Sequence, residues 1–504
     1  MFSKQPKFTP KSLPKPKIRT VSVEVPKKPS TPTNGTRATG SSSSPRPSTS
    51  SIVARGTSKL ANGRSRASKS PFTSSDEKGF LAPPANGRKR IRSPATDSDR
   101  VAFDSDGDSA EDDDDDWESR LKRRKMSTRM DPNRKLQHSA LAELAANGYK
   151  DTGKAPKIIH AADVISIEQG DKPYFPGVDP EELVVKLQYP GSLTRERYVI
   201  FVLSESKDKL NVVEDIKRVV QNVQETFLTP AQAKEYGFKD IIRQLDRNSN
   251  SQILNLAGYK AAIEKYNNAV LHLLKTGAIV AAIDKQHELS AGLIDLILTQ
   301  VYDRVVTPKV DILKKYDNGT DNVYGEMNRS FVRQALCENV QMKSDQVFVD
   351  LGSGVGNVTL QAALEIGCES WGCEMMEGPA MLAKEQHSEF RARCKLWGIQ
   401  PGRIRFVHGN FTKEEAIRDV LQRADVVLAN NFAFTPQLND TLKIMFLDLK
   451  EKCKLVSLKN FVSSSAYHTN DIATQILDVK KFKWPQNGVS WTESQGDYFI
   501  ATKK

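Results

Sequence analysis

The sequence predicts an α/β fold built on a doubly wound, mostly parallel sheet, and three observations predict it. The first is the run Val347-Phe348-Val349-Asp350-Leu351-Gly352-Ser353-Gly354-Val355-Gly356-Asn357. Strand-forming residues there meet an acid and then three glycines at every second position. A helical pattern of Val358, Leu360, Ala362, Ala363 and Ile366 follows at once, so this is a strand, a tight turn and a helix. The second observation is a regular alternation of strand and helix patterns from Gln346 onward, which means βαβ units. The third is that the last two strand patterns have no helix between them, so the final strand is expected to insert antiparallel. Seven strands in this arrangement make a Rossmann-like sheet of the class I S-adenosylmethionine-dependent methyltransferase kind. A helical subdomain and a long disordered N-terminus are expected to precede it.

The strands are expected at 346–351, 370–374, 403–408, 425–429, 453–458, 475–482 and 497–502. The helices between them are expected at 357–366, 378–396, 412–422 and 436–450. Upstream, Ile158 to Ile167, Leu183 to Leu187 and Tyr198 to Leu203 read as short strands or extended segments. Val212, Val213, Ile216, Val219, Val220, Val223 and Phe227 recur at three and four, so a helix with one apolar face follows. Ala257 to Leu274 and Leu289 to Val306 repeat that pattern, and Thr307-Pro308 stops the last helix. These helices carry no evident chemistry and read as a scaffold. The expected organisation is a tail over 1–154, a mostly helical subdomain over 155–335 and the S-adenosylmethionine-binding domain over 336–504.

Composition sets the tail apart. Residues 1–150 hold seven of the 37 aromatics and are rich in Ser, Pro, Lys and Arg, so they cannot bury enough apolar surface to offset their ordering entropy. The net charge of +12 hides an asymmetry: residues 1–100 carry 21 Lys/Arg against 5 Asp/Glu. Asp104 to Glu118 then carries ten acids. A basic tail favours polyphosphates such as DNA, and the alternative is a solvated tail with no partner. The acidic run reads first as a solubilising spacer, and second as a site for basic histone tails. Arg88-Lys89-Arg90-Ile91-Arg92 and Lys122-Arg123-Arg124-Lys125 resemble nuclear-import signals, so the nucleus is the expected compartment. No apolar run reaches transmembrane length, and no membrane partner is expected. Five cysteines without C-x-x-C pairing read as reduced thiols, and none of the seven histidines sits at ligand spacing to them, so no metal is expected.

The register of the glycines selects the ligand. A dinucleotide site needs G-x-G-x-x-G, but the last position is Asn357 counted from Gly352 and Thr359 counted from Gly354. The D-x-G-x-G-x-G form suits S-adenosylmethionine, whose aminoacyl half lies over the turn without a pyrophosphate. Such ligands bind at the carboxyl ends of the strands. Asp350 ends the first strand, where an acid can accept from the ligand's ammonium or order the loop. Glu374 ends the second, where an acid can accept both ribose hydroxyls. Asn410-Phe411 follows the third: an amide for the exocyclic amine of adenine and a ring for its face, or a plain loop Asn. Asn430-Asn431-Phe432-Ala433-Phe434 follows the fourth. Asn430 there is expected to contact the aminoacyl part and the substrate amine, with Phe434 excluding water. A helix N-cap with a hydrophobic staple is the alternative.

Val323-Tyr324-Gly325-Glu326, Asp350 to Gly356, Asn430 to Phe434, Ser457-Leu458-Lys459-Asn460-Phe461 and Val489-Ser490-Trp491-Thr492 together closely resemble the disruptor-of-telomeric-silencing family, over roughly residues 160–504. These are histone H3 lysine methyltransferases without a SET domain, and the long basic N-terminus looks like their fungal branch. The resemblance implies methyl transfer from S-adenosyl-L-methionine to lysine seventy-nine in the globular core of H3 on nucleosomes, with roles in telomeric silencing and the DNA damage checkpoint. It implies that Tyr324, Gly325 and Glu326 cover the cofactor. Asp350, Gly352, Ser353, Gly354, Gly356, Asn357, Glu374, Asn410, Phe411 and Asn430 would bind it. Phe434, Trp491 and Tyr498 would line a channel for the target lysine, with Asn430 beside the methyl. Asn410 and Asn357 depart from the acid and the glutamine of the animal relatives, so the Asn410 oxygen is expected to turn to the adenine amine. The enzyme is expected to be a monomer anchored to nucleosomal DNA by its tail. A methyltransferase of another protein or small molecule, or a non-catalytic chromatin tether, are the competing readings.

Overall fold

The structure is a computed structural model that describes residues 131–150, 155–165, 170–202, 210–314, 325–462 and 471–504. The tail reading falls mostly outside these residues, as do both import-like clusters, the acidic run, Val323 and Tyr324.

Residues 131–150, assigned to the tail on composition, are packed. Helix α1 (Ser139–Ala146) buries Leu141, and Leu136 beside it is buried too. The Arg134 guanidinium donates to Leu364 O and Glu365 O, carbonyls at the end of a later helix, where a cation also complements the helix dipole. The described part of Ile158 to Ile167, residues 158–165, forms no strand and contains a 3₁₀ turn at Ala161–Val164. A two-residue strand β1 (Lys172–Pro173) pairs with β4 (Phe201–Val202), and β2 (Val184–Gln188) pairs with β3 (Arg195–Val199).

Helix α2 (Val212–Phe227) starts where Asn211 accepts from Glu214 N and buries the predicted stripe except Val213, which is half-buried. Helices α3 (Pro230–Glu235), α4 (Phe238–Ser249), α5 (Leu256–Lys275), α6 (Ala278–Asp284) and α7 (Ala291–Val305) complete the helical layer. Helix α8 (Arg329–Val332) continues as a π-helical segment, Arg333–Val340.

The sheet strands are β5 (Val347–Leu351), β6 (Glu369–Glu374), β7 (Ile404–His408), β8 (Val426–Ala429), β9 (Lys454–Ser457), β10 (Leu477–Trp484) and β11 (Gly496–Lys503). Helices α9 (Asn357–Glu365), α10 (Glu377–Trp397), α11 (Glu415–Arg423) and α12 (Pro436–Met445) connect them, and a short α13 (Ile472–Ile476) precedes β10. The order is β10-β11-β9-β8-β5-β6-β7. β5 to β9 run parallel, and β11 inserts antiparallel between β9 and β10, as the missing crossover helix predicts. Every residue of β5 is buried, consistent with cover on both faces. Exposed Lys480, Lys481 and Lys483 on edge strand β10 guard it against further pairing.

One core crosses the expected boundary between helical subdomain and sheet. Helix α10 sends Phe390, Cys394, Leu396 and Trp397 into the cluster built by α2, α5 and α7. Beside it lies a buried ion network. Glu196 accepts from Arg393 Nη1 at 2.6 Å and Arg304 Nε at 2.9 Å, and Arg304 Nη2 reaches Asp215 at 2.7 Å. Burial opposes ionisation of Glu196, but the two guanidiniums outweigh it and hold its pKa at about 2. Helical layer and sheet are thereby tied by charge as well as by apolar packing.

Candidate active site at the switch point

Strand order reverses between β5 and β8, and a cleft of about 200 Å³ opens at their carboxyl ends. Asp350, Gly352, Ser353, Gly354 and Asn357 line it from the first turn. Glu374 comes from β6, Asn410 and Phe411 from the loop after β7, and Asn430 and Phe434 from the loop after β8. Gly325 and Glu326 close one side. The residues read from the sequence at four strand ends therefore meet around one space.

The turn works because Gly352 and Gly354 take φ of +86° and +54°. A Cβ on Gly352 would project to within 3.7 Å of the Phe434 ring, across the space a ligand needs. Gly354 N donates to Glu374 Oε2 at 2.8 Å, and Met376 N to Glu374 Oε1 at 2.7 Å. Each carboxylate oxygen keeps a lone pair for a ligand hydroxyl. Burial pushes the Glu374 pKa up despite these donors. Asp350 is 2% exposed, and burial, then the neighbouring Glu374 charge, raises its pKa to about 7. Thr359 Oγ1 donates to it at 3.4 Å. Ser353 Oγ is buried without a hydrogen-bond partner. Two carboxylates that disfavour each other's charge, an orphaned hydroxyl and a glycine cradle fit a ligand with a cation at one end and hydroxyls in the middle. S-adenosylmethionine has that form.

Several expectations change. Gly356 does not line the cleft: it begins α9 with φ +90°, and a Cβ there would stand 2.5 Å from Phe406, so it serves the turn and the packing beneath it. Asn410 does not turn its oxygen to the cleft. Its Oδ1 accepts from Thr412 N at 2.9 Å and Thr412 Oγ1 at 2.8 Å, and the backbone donor fixes that orientation. Asn410 therefore offers donors, which suit a ring nitrogen of a purine and not its exocyclic amine. Tyr498 does not line the cleft. It is 0% exposed, packs on Phe331 at 4.9 Å and accepts from Asn339 Nδ2 at 2.5 Å. The alternation of β11 decides this: Tyr498 shares a sheet face with Ile500, the face covered by α8. Burial raises the Tyr498 pKa.

Phe434 stands inside, its ring 6.2 Å from that of Phe411. The rim belongs to Phe432, 45% exposed, which lies 5.3 Å from Trp491. Sequence reasoning gave Phe432 no role, although its place in the same loop was a signal. Trp491 covers Gly325 so closely that a Cβ there would meet its ring at 2.7 Å. The Trp491 loop is held to this segment by Ser490, whose Oγ accepts from Glu326 N at 2.9 Å and whose N donates to Glu326 O at 2.9 Å. Asn430 Nδ2 donates to Gly325 O at 3.1 Å, which leaves its Oδ1 as the acceptor on the cleft side.

The sheet order and the cleft define a class I S-adenosylmethionine-dependent methyltransferase. Residues 302–503 match the family described as histone methylation protein DOT1. A Gibberella zeae histone-lysine N-methyltransferase specific for H3 lysine 79 is 46% identical over 449 residues, covering 87% of this chain and 88% of that protein. Enzymes of the same description from Chaetomium globosum and Emericella nidulans are 47% and 43% identical, over 77% and 72% of this chain and 75% and 73% of theirs. The chain belongs to the DOT1 family of histone methylation proteins.

Proposed function

We propose that this protein is a histone-lysine N-methyltransferase that transfers methyl groups from S-adenosyl-L-methionine to lysine 79 of histone H3, presented on nucleosomes in the nucleus. The observation that carries this is the meeting of a polar, glycine-cradled cleft with an aromatic rim, in a chain that matches a Gibberella zeae H3 lysine-79 enzyme over 88% of its length.

Bound S-adenosylmethionine supplies an activated methyl on a sulfonium. The chain must hold it, present a neutral amine in line and exclude water. Asp350 would take the aminoacyl ammonium, Glu374 the ribose hydroxyls, and Asn410 and Phe411 the adenine. Glu326, Ser353, Gly354 and Asn357 would complete that shell, and Tyr324 is retained from the family resemblance alone. A free lysine ammonium costs about 4–5 kcal/mol to deprotonate at pH 7. Passage between Phe432 and Trp491 would strip its water and lower that cost. Asn430 Oδ1 would then accept one N–H of the neutral amine and aim its lone pair. No side chain in the cleft need act as a dedicated base; positioning and desolvation dominate.

In the cell this reaction would serve telomeric silencing and chromatin regulation. The basic tail would add affinity through DNA phosphates, and the enzyme would act as a monomer. Labelled methyl transfer to nucleosomes tests the reading. Label should enter H3 on wild-type nucleosomes and be absent where lysine 79 is replaced by arginine; equal labelling of both would refute it. Removing residues 1–130, which spares Arg134 and Leu136, should flatten the salt dependence of nucleosome affinity.

A further inference from the structure

The side chain of Asn431 uses all its hydrogen-bonding capacity on the loop after β9 and on helix α12. It is 1% exposed. Its Oδ1 accepts from Leu458 N at 3.0 Å and Lys459 N at 2.8 Å. Its Nδ2 donates to Lys459 O at 3.1 Å and Asn439 Oδ1 at 3.0 Å. Asn439 in turn donates to Phe434 O and Thr435 O.

The position explains the chemistry. β8 and β9 pair as far as Ala429 and Ser457, and the backbone ladder ends there. The next peptide groups of the β9 loop would be unpaired where the two loops diverge. The Asn431 amide takes the place of the missing strand and adds one rung in side-chain form. This rung separates the loops by the width of an amide and fixes their spacing. Its neighbours in sequence are then committed: Asn430 turns to the cleft and Gly325 O, and Phe432 turns out to Trp491. Lys459, pinned by both backbone groups, holds its Nζ 5.6 Å from the centre of the Phe432 ring. A closed circuit results: Asn430, Gly325, Trp491, Phe432, Lys459 and Asn431, which is bonded to Asn430 again.

We propose that Asn431 is a positioning residue for the methyl acceptor, setting the distance between Asn430 inside the cleft and the Phe432–Trp491 rim. The inference rests on the reading of that rim as the amine entrance. Asn431 touches neither the glycine turn nor Glu374, so its loss acts on the acceptor side. A displacement near 1 Å at a reacting pair costs up to about a hundredfold in rate.

The test uses the full chain with nucleosomes and S-adenosylmethionine, and calorimetry with S-adenosylhomocysteine as the cofactor-side probe. N431A should lower turnover per bound cofactor about thirtyfold, within that range, with affinity for S-adenosylhomocysteine within about threefold of wild type. N431D keeps the shape and the two accepted bonds but loses both donations, and should show a smaller loss of the same kind. W491A is the control for the underlying reading. Turnover lost in W491A and kept in N431A and N431D overturns the positioning role alone. Turnover kept in all three overturns the entrance reading and this inference with it. Affinity for S-adenosylhomocysteine falling in step with turnover in both Asn431 variants also overturns the inference, because Asn431 would then be supporting the whole cleft.

Discussion

Replacing Asp350 by Asn tests how the cleft treats charge. Asp350 is buried at the end of β5 beside Glu374, with Thr359 as its hydrogen-bond donor, and its pKa is raised from 3.8 to about 7. The folded protein therefore binds this proton more tightly than the unfolded chain does. The stabilisation is fully present below the unfolded value and is lost as pH rises through about 7. The change from 3.8 to about 7 corresponds to about 4 kcal/mol. Chemical denaturation of the ligand-free protein should show that, relative to D350N, the wild type loses about this much stability between pH 4 and 8. The difference between the two proteins matters because Asp303, also raised to about 7 by burial, titrates in the same window in both. Cofactor binding should run the other way. A cationic aminoacyl group favours ionised Asp350, so wild-type affinity should rise with pH to about 7 and then level off, while D350N stays flat and weak. Parallel stability curves for the two proteins would refute the charge argument, and parallel affinity curves would refute the placement of the ammonium.

Tyr498→Phe removes only the bond with Asn339 and should cost about 1 kcal/mol with turnover unchanged, whereas Tyr498→Ala should cost about 3–5 kcal/mol of stability measured by denaturant melts. Lost turnover in the well-folded Phe variant would return Tyr498 to the channel. Gly325→Ala would place a methyl 2.7 Å from the Trp491 ring, so it should displace that ring and slow nucleosome methylation about tenfold or more while S-adenosylhomocysteine still binds. Arg393→Met strips Glu196 and Glu389 of a fully buried partner and should destabilise by about 3–5 kcal/mol. Glu196 is held low at about 2 in the wild type, so its stabilisation is present above its ordinary value and lost as pH falls towards 2. In Arg393→Met the Glu196 pKa is depressed less, so that loss should be smaller and should end at a higher pH, seen in acid unfolding curves.

The sheet was legible because each of its parts is local. The seven expected strands from 346 onward lie within two residues of the observed ones, and the antiparallel last strand follows from a missing helix. The first turn was legible for the same reason: positive φ at Gly352 and Gly354 is written in their spacing. Composition was a poorer guide at the tail boundary. Residues 131–150 have a tail-like composition, yet Leu136, Leu141 and the Arg134 guanidinium find partners far along the chain. Helices α3 and α6 went unpredicted, since helices of six and seven residues draw their stability from the core they cover; α4 also went unpredicted, although Phe238, Ile241 and Leu245 give it one buried face.

The sequence by itself determined the ligand class, the strand ends that meet and the family, because glycine register, strand period and motif identity are properties of neighbours in the chain. Only the tertiary structure decided which way the side chains at those ends point. Tyr498 and Asn410 sit where the motifs put them, but the face of β11 and the Thr412 backbone donor turn one into the core and the other's oxygen away from the cleft. Phe432 gained its place, and Asn431 its proposed role, from loops that are distant in sequence and adjacent in space. Orientation is set by the partners a polar or aromatic group finds across the fold, and no single segment of sequence contains both partners.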